Sequence, residues 1–355
     1  MKKSKKIVLS IIITLLVIIV AILACAWSMF KTQFKAMNTI KKLDNNFYFL
    51  EYKGDYGFDE YIKSGGGNSD EKMAEYISSF LSHGFYKPTF SKNNYGCSAI
   101  SATSTNGNLL FGRNFDWKSC TAMIVITRPD NGYASISTSN LDFLGFEENF
   151  LPEGMKNKMM SLAAVYVPLD GMNEKGLCIA DLIIEDGTET HQNSGKPSIT
   201  TTAAIRLLLD KCANVNEAIE ELNKYDMNSS AGMQHHFAIS DANGKSIVAE
   251  YIDNTLYVTD TKVVTNFYLT EGNHYGIGTE QSKLRYTFML KNLETSNGTL
   301  TQNQLTDLLK AVSKHNYPEG DETTEWSIIF DTENLSATYY RKENFDKNYT
   351  FNISN

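Results

Sequence analysis

Two stretches of the sequence hold residue types that could carry out nucleophilic chemistry. Cys97 follows Gly96, and the segment from 109 to 117 carries Arg113 and Asp116. Between them, Asn106-Gly107 flanked by strand-like runs predicts a β-hairpin. If these two residues form the loop, Cys97 lies opposite Asp116, with Cβ atoms about 4.5–5.5 Å apart. The pattern predicts a thiol, a carboxylate and a guanidinium at one end of a hairpin. The register depends on the turn type, which can shift it by a residue or two.

Such a group also occurs as a buried cysteine beside a surface ion pair, and Gly96 is the residue that favours chemistry. If the Gly96–Cys97 peptide bond were cut, Cys97 would carry both a thiol and a free α-amine. That amine titrates near ~7.7–8, against ~10.4 for lysine, so it can act as a general base near neutral pH. Asp116 could hold the ammonium ion that forms, and Arg113 could favour the thiolate.

A family resemblance follows from these residues. Gly96-Cys97, followed by Phe111-Gly112-Arg113-Asn114-Phe115-Asp116-Trp117, resembles the start of the mature choloylglycine hydrolase and penicillin V acylase family. These are N-terminal-nucleophile amidases, related to acid ceramidase and isopenicillin N acyltransferase. The resemblance implies an α+β fold, the αββα four-layer sandwich, and an activity on linear, non-peptide amide C–N bonds without metal or cofactor. It also implies cleavage of a leader immediately before Cys97.

Three further positions take roles from the resemblance. Gly171–Leu177 is the second matching motif and gives Asn173 a place in the oxyanion region, although an asparagine there is also a common polar turn residue. A Thr-Asn pair ending at Asn266 is the third match and makes that side chain an oxyanion-hole donor. The family's proline shortly after it is absent. Residues 281–286 parallel an arginine-containing family segment only loosely, and Arg285 is the candidate active-site arginine.

Composition narrows the function classes. The chain has 355 residues and a formal net charge of −8, which argues against nucleic acid as a partner. Its five cysteines are irregularly spaced and form neither a metal-binding pattern nor a disulfide framework. Cys120, Cys178 and Cys212 lie in apolar contexts typical of small core residues.

The N-terminus predicts a membrane segment. Lysines among the first six residues precede an apolar run, Ile7–Trp27, that is long enough to span a bilayer. A retained anchor is one interpretation, a signal peptide cleaved near Ala24-Cys25-Ala26 is the second, and a lipoprotein with lipidated Cys25 is the third. All three place the catalytic part outside the cell. The predicted organisation is 1–29 as cytoplasmic lysines and anchor, 30–96 as a leader, and 97–355 as the catalytic domain.

The remaining elements fit a hairpin-rich α+β protein. A strand is predicted at 46–52 and a helix after Ser69, whose side chain is a candidate cap. The residues from 143 to 160 are rich in Phe, Leu and Met, and form a loop over a pocket or part of the core. Further predictions are a second hairpin at 123–128 and 133–137, two helices within 198–225 with a cap at Asn214, a hairpin at 234–251, a capped helix after Thr301, and a last hairpin at 326–331 and 337–341.

His235 and His236 suggest a different chemistry. They invite a Cys–His protease hypothesis with Cys97 as nucleophile, or metal ligation. Adjacent strand residues point to opposite faces, so at most one of them could reach the site. No orienting Asn or Asp and no third metal ligand accompanies them at a defensible spacing.

The sequence therefore predicts a hydrolase of a small N-acyl amide, with an acyl group of hydrophobic bulk. Cys97 would form a thioester, its α-amine would carry the proton, and Asn173 and Asn266 would stabilise the oxyanion, each by roughly 10²–10³ in rate. Bile-acid conjugates, phenoxyacetyl penicillins, N-acyl homoserine lactones and fatty amides all fit. An acyltransferase using the same thioester and a non-catalytic surface binding protein are the alternatives. The expected partners are the small-molecule substrate and the membrane, and a homo-oligomer is left open.

Overall fold

The first predicted hairpin forms two adjacent central strands of the smaller of two large sheets. A computed structural model of the chain describes residues 2–84, 86, 96–145, 150–184, 187–318 and 320–354. The α-helices are α1 (Lys2–Thr39), α2 (Phe58–Lys63), α3 (Asp70–Ser82), α4 (Gly154–Ser161), α5 (Thr201–Lys211), α6 (Val215–Leu222), α7 (Glu280–Thr295) and α8 (Gln302–Ala311). Short 3₁₀ helices cover Leu141–Leu144, Leu162–Tyr166 and Ser230–Gly232.

The strands in the described residues form two large sheets and one small one. They are β1 (Lys41–Asp44), β2 (Phe47–Lys53), β3 (Cys97–Thr103), β4 (Leu109–Trp117), β5 (Ala122–Arg128), β6 (Ser135–Asn140), β7 (Asp170–Asn173), β8 (Cys178–Ile183), β9 (Ser198–Thr200), β10 (Asp226–Asn228), β11 (His235–Ser240), β12 (Ser246–Ile252), β13 (Thr255–Asp260), β14 (Val263–Val264), β15 (Thr323–Asp331), β16 (Ser336–Arg341) and β17 (Asn344–Asn352). The larger sheet has the order β1-β2-β5-β6-β7-β8-β11-β12-β13, and the smaller has β14-β3-β4-β15-β16-β17. Strands β9 and β10 pair separately.

The two large sheets pack face to face and helices cover their outer faces. One core lies between the sheets and joins Phe115 and Trp326 of the smaller sheet to Ile124 and Val248 of the larger. A second core lies between the larger sheet and α3, α5 and α6, and a third between the smaller sheet and α7 and α8. This is the αββα four-layer sandwich, and the predicted α+β class is confirmed.

The register of the first hairpin differs by one residue from the prediction. Cys97 lies opposite Phe115, and Thr103 lies opposite Leu109. The turn has three residues rather than two, closed by Ser104 N–H to Asn108 O at 2.6 Å, with Gly107 at φ 91°. A type I turn followed by a left-handed glycine has this form. The predicted pairing of Cys97 with Asp116 is therefore wrong, and Asp116 lies on the other face of β4.

The segment before Cys97 is built into the fold. Strand β2 pairs in parallel with β5 over seven residues, from Phe47 opposite Ala122 to Lys53 opposite Arg128. Strand β1 pairs with β2 in the same sheet, and α2, α3 and the last turns of α1 share one core with β2. The apolar side chains that this segment buries are Met37, Ile40, Phe47, Tyr48, Leu50, Tyr52, Tyr56, Phe58, Tyr61, Met73, Ile77 and Leu81.

Helix α1 is the candidate membrane segment. From Lys6 to Thr39 it is long and apolar enough, by length and composition, to cross a bilayer, and its most apolar window is fully exposed. A signal sequence has the same features.

The three predicted helix caps are present in the structure. The side chain of Ser69 accepts a hydrogen bond from Lys72 N at 3.4 Å, that of Asn214 accepts from Glu217 N at 3.1 Å, and Thr301 forms a capping box with Gln304. Within 143–160 the structure contains a buried 3₁₀ turn and α4 rather than an open loop, and residues 146–149 lie outside the described part.

Candidate active site

Cys97 is the first residue of β3, and both its sulfur and its backbone nitrogen have buried partners. The residue is 1 % exposed. Its N–H donates to Asn266 Oδ1 at 2.7 Å, and Arg113 Nη2 lies 3.5 Å from Sγ. Burial raises the pKa of the Cys97 thiol to about 12; nearby Arg113 opposes this shift, while Asp116 adds to it. In the uncut chain the sulfur is therefore a protonated thiol that solvent cannot reach.

Arg113 reaches the thiol because of the observed register. It lies two residues from Phe115 on β4, so it shares a face with Cys97. Its Nη1 pairs with the Asp170 carboxylate, and its Nη2 donates to Asp181 O at 2.7 Å. Burial opposes the charge on Arg113, but Asp170 holds the pKa of the guanidinium above its usual value. A permanent positive charge therefore lies beside the sulfur.

Asp116 belongs to a second network on the other face of β4. Its carboxylate accepts from Arg285 Nη1 at 2.9 Å and from Thr324 Oγ1 at 2.6 Å. Its backbone N–H donates to Gly96 O at 3.0 Å. The carboxylate is linked to the Cys97 nitrogen through Arg285 and Asn266, and not by the direct contact that the predicted register gave.

Asn266 joins the two networks. It follows β14, and its Oδ1 accepts from Cys97 N and from Arg285 Nη2, the latter at 2.8 Å. Its Nδ2 donates to Ile183 O at 2.7 Å. Arg285, in α7, is fully buried. The structure thus brings Cys97, Arg113, Asp116, Asn266 and Arg285 together at one end of β3 and β4.

Asn173 lies apart from this group. Its Nδ2 donates to Leu209 O at 3.0 Å and to Cys212 O at 2.7 Å, and its Oδ1 accepts from the backbone of Lys175 and Leu177. It is three residues beyond Asp170 on β7, about 10 Å further along and on the opposite face. Both amide hydrogens are donated to carbonyls at the C-terminal end of α5, so the structure does not place Asn173 as a donor beside Cys97.

Sequence reasoning missed two residues of the site. Asp170 pairs with Arg113 and accepts from Trp326 Nε1 at 3.0 Å, and Thr324 holds Asp116. Asp170 immediately precedes the motif that drew attention to Asn173. A carboxylate in a buried strand needs a charged partner, and this was the signal that could have identified it.

Both adjacent histidines are paired with buried carboxylates. His235 Nδ1 lies 2.9 Å from both carboxylate oxygens of Asp181, and His236 Nδ1 lies 3.0 Å from Glu250. Burial opposes the charge on His235, but Asp181 raises its pKa. In the described part of the chain, no group of three or more His, Cys, Asp or Glu side chains has metal-site geometry.

These observations define a class of protein. A four-layer α+β sandwich with a thiol on the first residue of a central strand is the architecture of the N-terminal-nucleophile hydrolases. Residues 97–325 match the family of linear amide C-N hydrolases, choloylglycine hydrolase family. The chain belongs to that family.

Similar proteins agree with this assignment. Over 175 residues the chain is 31% identical to a bile salt hydrolase/transferase from Lactiplantibacillus plantarum, covering 47% of this chain and 51% of that protein. Over 110 residues it is 30% identical to a penicillin V acylase from Pectobacterium atrosepticum, covering 27% of this chain and 29% of that one. The chain therefore spans about half or less of these relatives.

Solved structures share the fold at low sequence identity. Conjugated bile acid hydrolase from Clostridium perfringens superimposes with a TM-score of 0.54 at 20% identity, covering 73% of this chain and 92% of that chain. Penicillin V acylase from Agrobacterium tumefaciens gives 0.50 at 18% identity, covering 69% and 83%.

Proposed function

We propose that this chain hydrolyses the amide bond of a small N-acyl compound through a thioester on Cys97, with the α-amine of the same residue as the base. The observation that carries the proposal is the double placement of Cys97. Its sulfur lies beside the buried Arg113 guanidinium, and its nitrogen donates to Asn266. A cysteine that only filled the core would need neither partner.

The proposed reaction begins with cleavage of the Gly96–Cys97 bond. The freed amine takes the thiol proton, and Arg113 stabilises the thiolate that results. The sulfur attacks the acyl carbon, the protonated amine returns its proton to the leaving nitrogen, and water then hydrolyses the thioester. Asn266 Oδ1 accepts from the ammonium form of Cys97, and Arg285 ties Asn266 to Asp116. Of the two predicted oxyanion donors, Asn266 contacts Cys97 and has one Nδ2 hydrogen beyond its bond to Ile183 O, which we propose as the donor, whereas Asn173 uses both Nδ2 hydrogens elsewhere.

The relatives guide the choice of substrate class. Their names refer to bile salts and penicillin V, both of which carry bulky apolar acyl groups. We propose an N-acyl amide of this kind, a class that includes fatty amides and N-acyl homoserine lactones. No nucleic acid is proposed as a partner.

The N-terminal organisation is a further part of the proposal. We propose that α1 anchors the chain in the cell membrane with the catalytic layers outside, because lysines precede the apolar run and the same helix continues into the folded part. A cleaved signal peptide and a lipidated Cys25 are the alternatives. Mass analysis of the membrane-bound protein distinguishes them, since only the anchor keeps residues 1–24.

N-terminal sequencing with intact mass analysis tests the mechanism. Purified wild type is expected to contain a chain that starts at Cys97, and Cys97→Ala is expected to contain none. Release of free amine from a panel of N-acyl substrates should follow the cut species. A wild type that stays uncut yet hydrolyses amides would refute the α-amine mechanism.

Acyl transfer is the second candidate, because the relative from L. plantarum is named as both hydrolase and transferase. The same thioester would then be resolved by an amine. Product analysis with and without an acceptor amine separates the two outcomes: a new amide product supports transfer, and only free acid supports hydrolysis.

A further inference from the structure

A side chain at Gly96 would meet the charged ends of two other side chains. Its φ is not in the left-handed region, so conformation alone does not require glycine. A Cβ placed there would lie 2.9 Å from Lys314 Nζ, 3.0 Å from Lys314 Cε and 3.3 Å from Glu322 Oε2. Glycine therefore allows a charged pair to lie directly against the Gly96–Cys97 junction.

Lys314 and Glu322 form that pair. Lys314 Nζ lies 2.7 Å from Glu322 Oε2, and the side chains are 1 % and 15 % exposed. Lysine is among the residues least often buried to this extent, and burying its charge costs free energy unless the charge is paired. A buried, paired ammonium therefore lies beside Gly96.

The same region is tied to the candidate active site. The backbone N–H of Lys314 donates to Thr324 Oγ1 at 2.9 Å, and that hydroxyl donates to the Asp116 carboxylate. The backbone N–H of Asp116 donates to Gly96 O at 3.0 Å. The carbonyl of the junction therefore has a hydrogen-bond donor in place, and a positive charge lies next to its Cα.

We propose that Lys314, held by Glu322, takes part in cleavage of the Gly96–Cys97 bond through its positive charge. The inference rests on the proposed N-terminal-nucleophile mechanism. Cys97 Sγ attacks the Gly96 carbonyl carbon, the Asp116 N–H and the Lys314 charge stabilise the negative oxygen, and the C–N bond breaks as the thiol proton passes to the nitrogen. Water then hydrolyses the thioester, leaving a Gly96 carboxylate and the free thiol and amine of Cys97.

The test follows cleavage of the full-length chain made by cell-free synthesis into nanodiscs. Lys314→Met is expected to slow the appearance of the fragment starting at Cys97 by about 10²-fold, the size typical of losing a stabiliser of a developing oxyanion. Lys314→Arg, which keeps the charge, should cleave at least about ten times faster than Lys314→Met. Lys310→Met, on the exposed face of α8, is the matched control and should cleave at the wild-type rate.

Two more variants separate a role in cleavage from a role in packing. Gly96→Ala should slow cleavage by displacing the ammonium group. Combining it with Lys314→Met removes the contact with Nζ, yet the double variant should stay as slow as Lys314→Met, because the two changes act on one interaction. Glu322→Gln keeps the shape of the pair and should slow cleavage by about tenfold. It also serves as the test if Lys314→Met does not fold by near-UV circular dichroism.

The outcomes are distinguishable. Cleavage of folded Lys314→Met at the wild-type rate, or of Glu322→Gln at the wild-type rate where Lys314→Met is unfolded, overturns the role of Lys314 and leaves the proposed amidase mechanism standing. Equal loss of cleavage in Lys314→Arg and Lys314→Met also overturns it, since the charge would then not matter. A wild type that is never cut overturns both proposals.

Discussion

Replacing Arg113 by methionine tests whether this buried charge acts on the thiol or only on the fold. Arg113 and Asp170 are both fully buried and form an ion pair, and Trp326 Nε1 is the other donor to the same carboxylate oxygen. Removing one partner of a buried pair typically costs 3–5 kcal/mol because the other charge is left unpaired. We expect Arg113→Met to lower the free energy of unfolding by about that amount.

The double variant Arg113→Met/Asp170→Asn removes both charges and should recover about 2–3 kcal/mol, since residues of one buried pair couple by up to about 3 kcal/mol. Amide hydrolysis should not recover, because the positive charge 3.5 Å from Cys97 Sγ is still missing. Urea unfolding of the detergent-solubilised protein, followed by tryptophan fluorescence, measures the first quantity. Amine release per folded molecule measures the second.

The matched control is a buried ion pair in a different element, helix α5. Arg206 and Asp210 form a buried pair at 2.8 Å within α5, with side chains 0 % and 3 % exposed. Arg206→Met should lose similar stability and keep its activity per folded molecule. If Arg113→Met/Asp170→Asn regains both stability and hydrolysis, Arg113 serves only the fold and the proposed thiolate stabilisation is wrong.

Two further predictions concern the thiol and the leader. Because burial raises the pKa of Cys97 to about 12 in the uncut chain, its thiolate fraction should grow about tenfold per pH unit from neutrality upward, and alkylation by iodoacetamide should stay far slower than in the urea-unfolded chain. After cleavage, labelling at pH 7.5 should be rapid; equal rates before and after would contradict a closed precursor. Fragments 1–96 and 97–355 should co-elute in non-denaturing detergent and separate in denaturant, and elution of 97–355 alone would show that the leader is released.

The sequence predicted the hairpin but not its register. Asn106-Gly107 marked the turn correctly, but this dipeptide occurs in both two-residue and three-residue loops. A two-residue type I′ loop needs both of its residues at positive φ, whereas a three-residue loop needs only its last residue there. Gly107 alone takes that conformation here. The change of one residue moves Asp116 to the other face of β4 and leaves Arg113 on the face of Cys97. The resemblance identified the residues, and only the turn geometry decides which of them touch.

The partners that fix the site were harder to predict. Asp170 lies 57 residues from Arg113, and Thr324 lies 208 residues from Asp116. Such contacts follow from the strand order β3-β4-β15 and from the stacking of the two sheets, which no local pattern encodes. Asn173 shows the converse: its motif is distinctive, but the side chain stabilises a turn, a role that asparagine fills in many loops.

The place of the leader in the fold limits what cleavage at Gly96 can accomplish. Strand β2 continues the larger sheet through a seven-residue ladder with β5, and the tyrosines of this segment lie in the core under the helices. A cut at residue 96 leaves all of these contacts in place. The cut would therefore not release the segment before Cys97. If α1 is a membrane anchor, it would still hold the catalytic layers through these contacts. What the cut changes is local. The Cys97 nitrogen, which donates to Asn266 as an amide, becomes an amine that can accept a proton, and Gly96 is no longer bonded to Cys97.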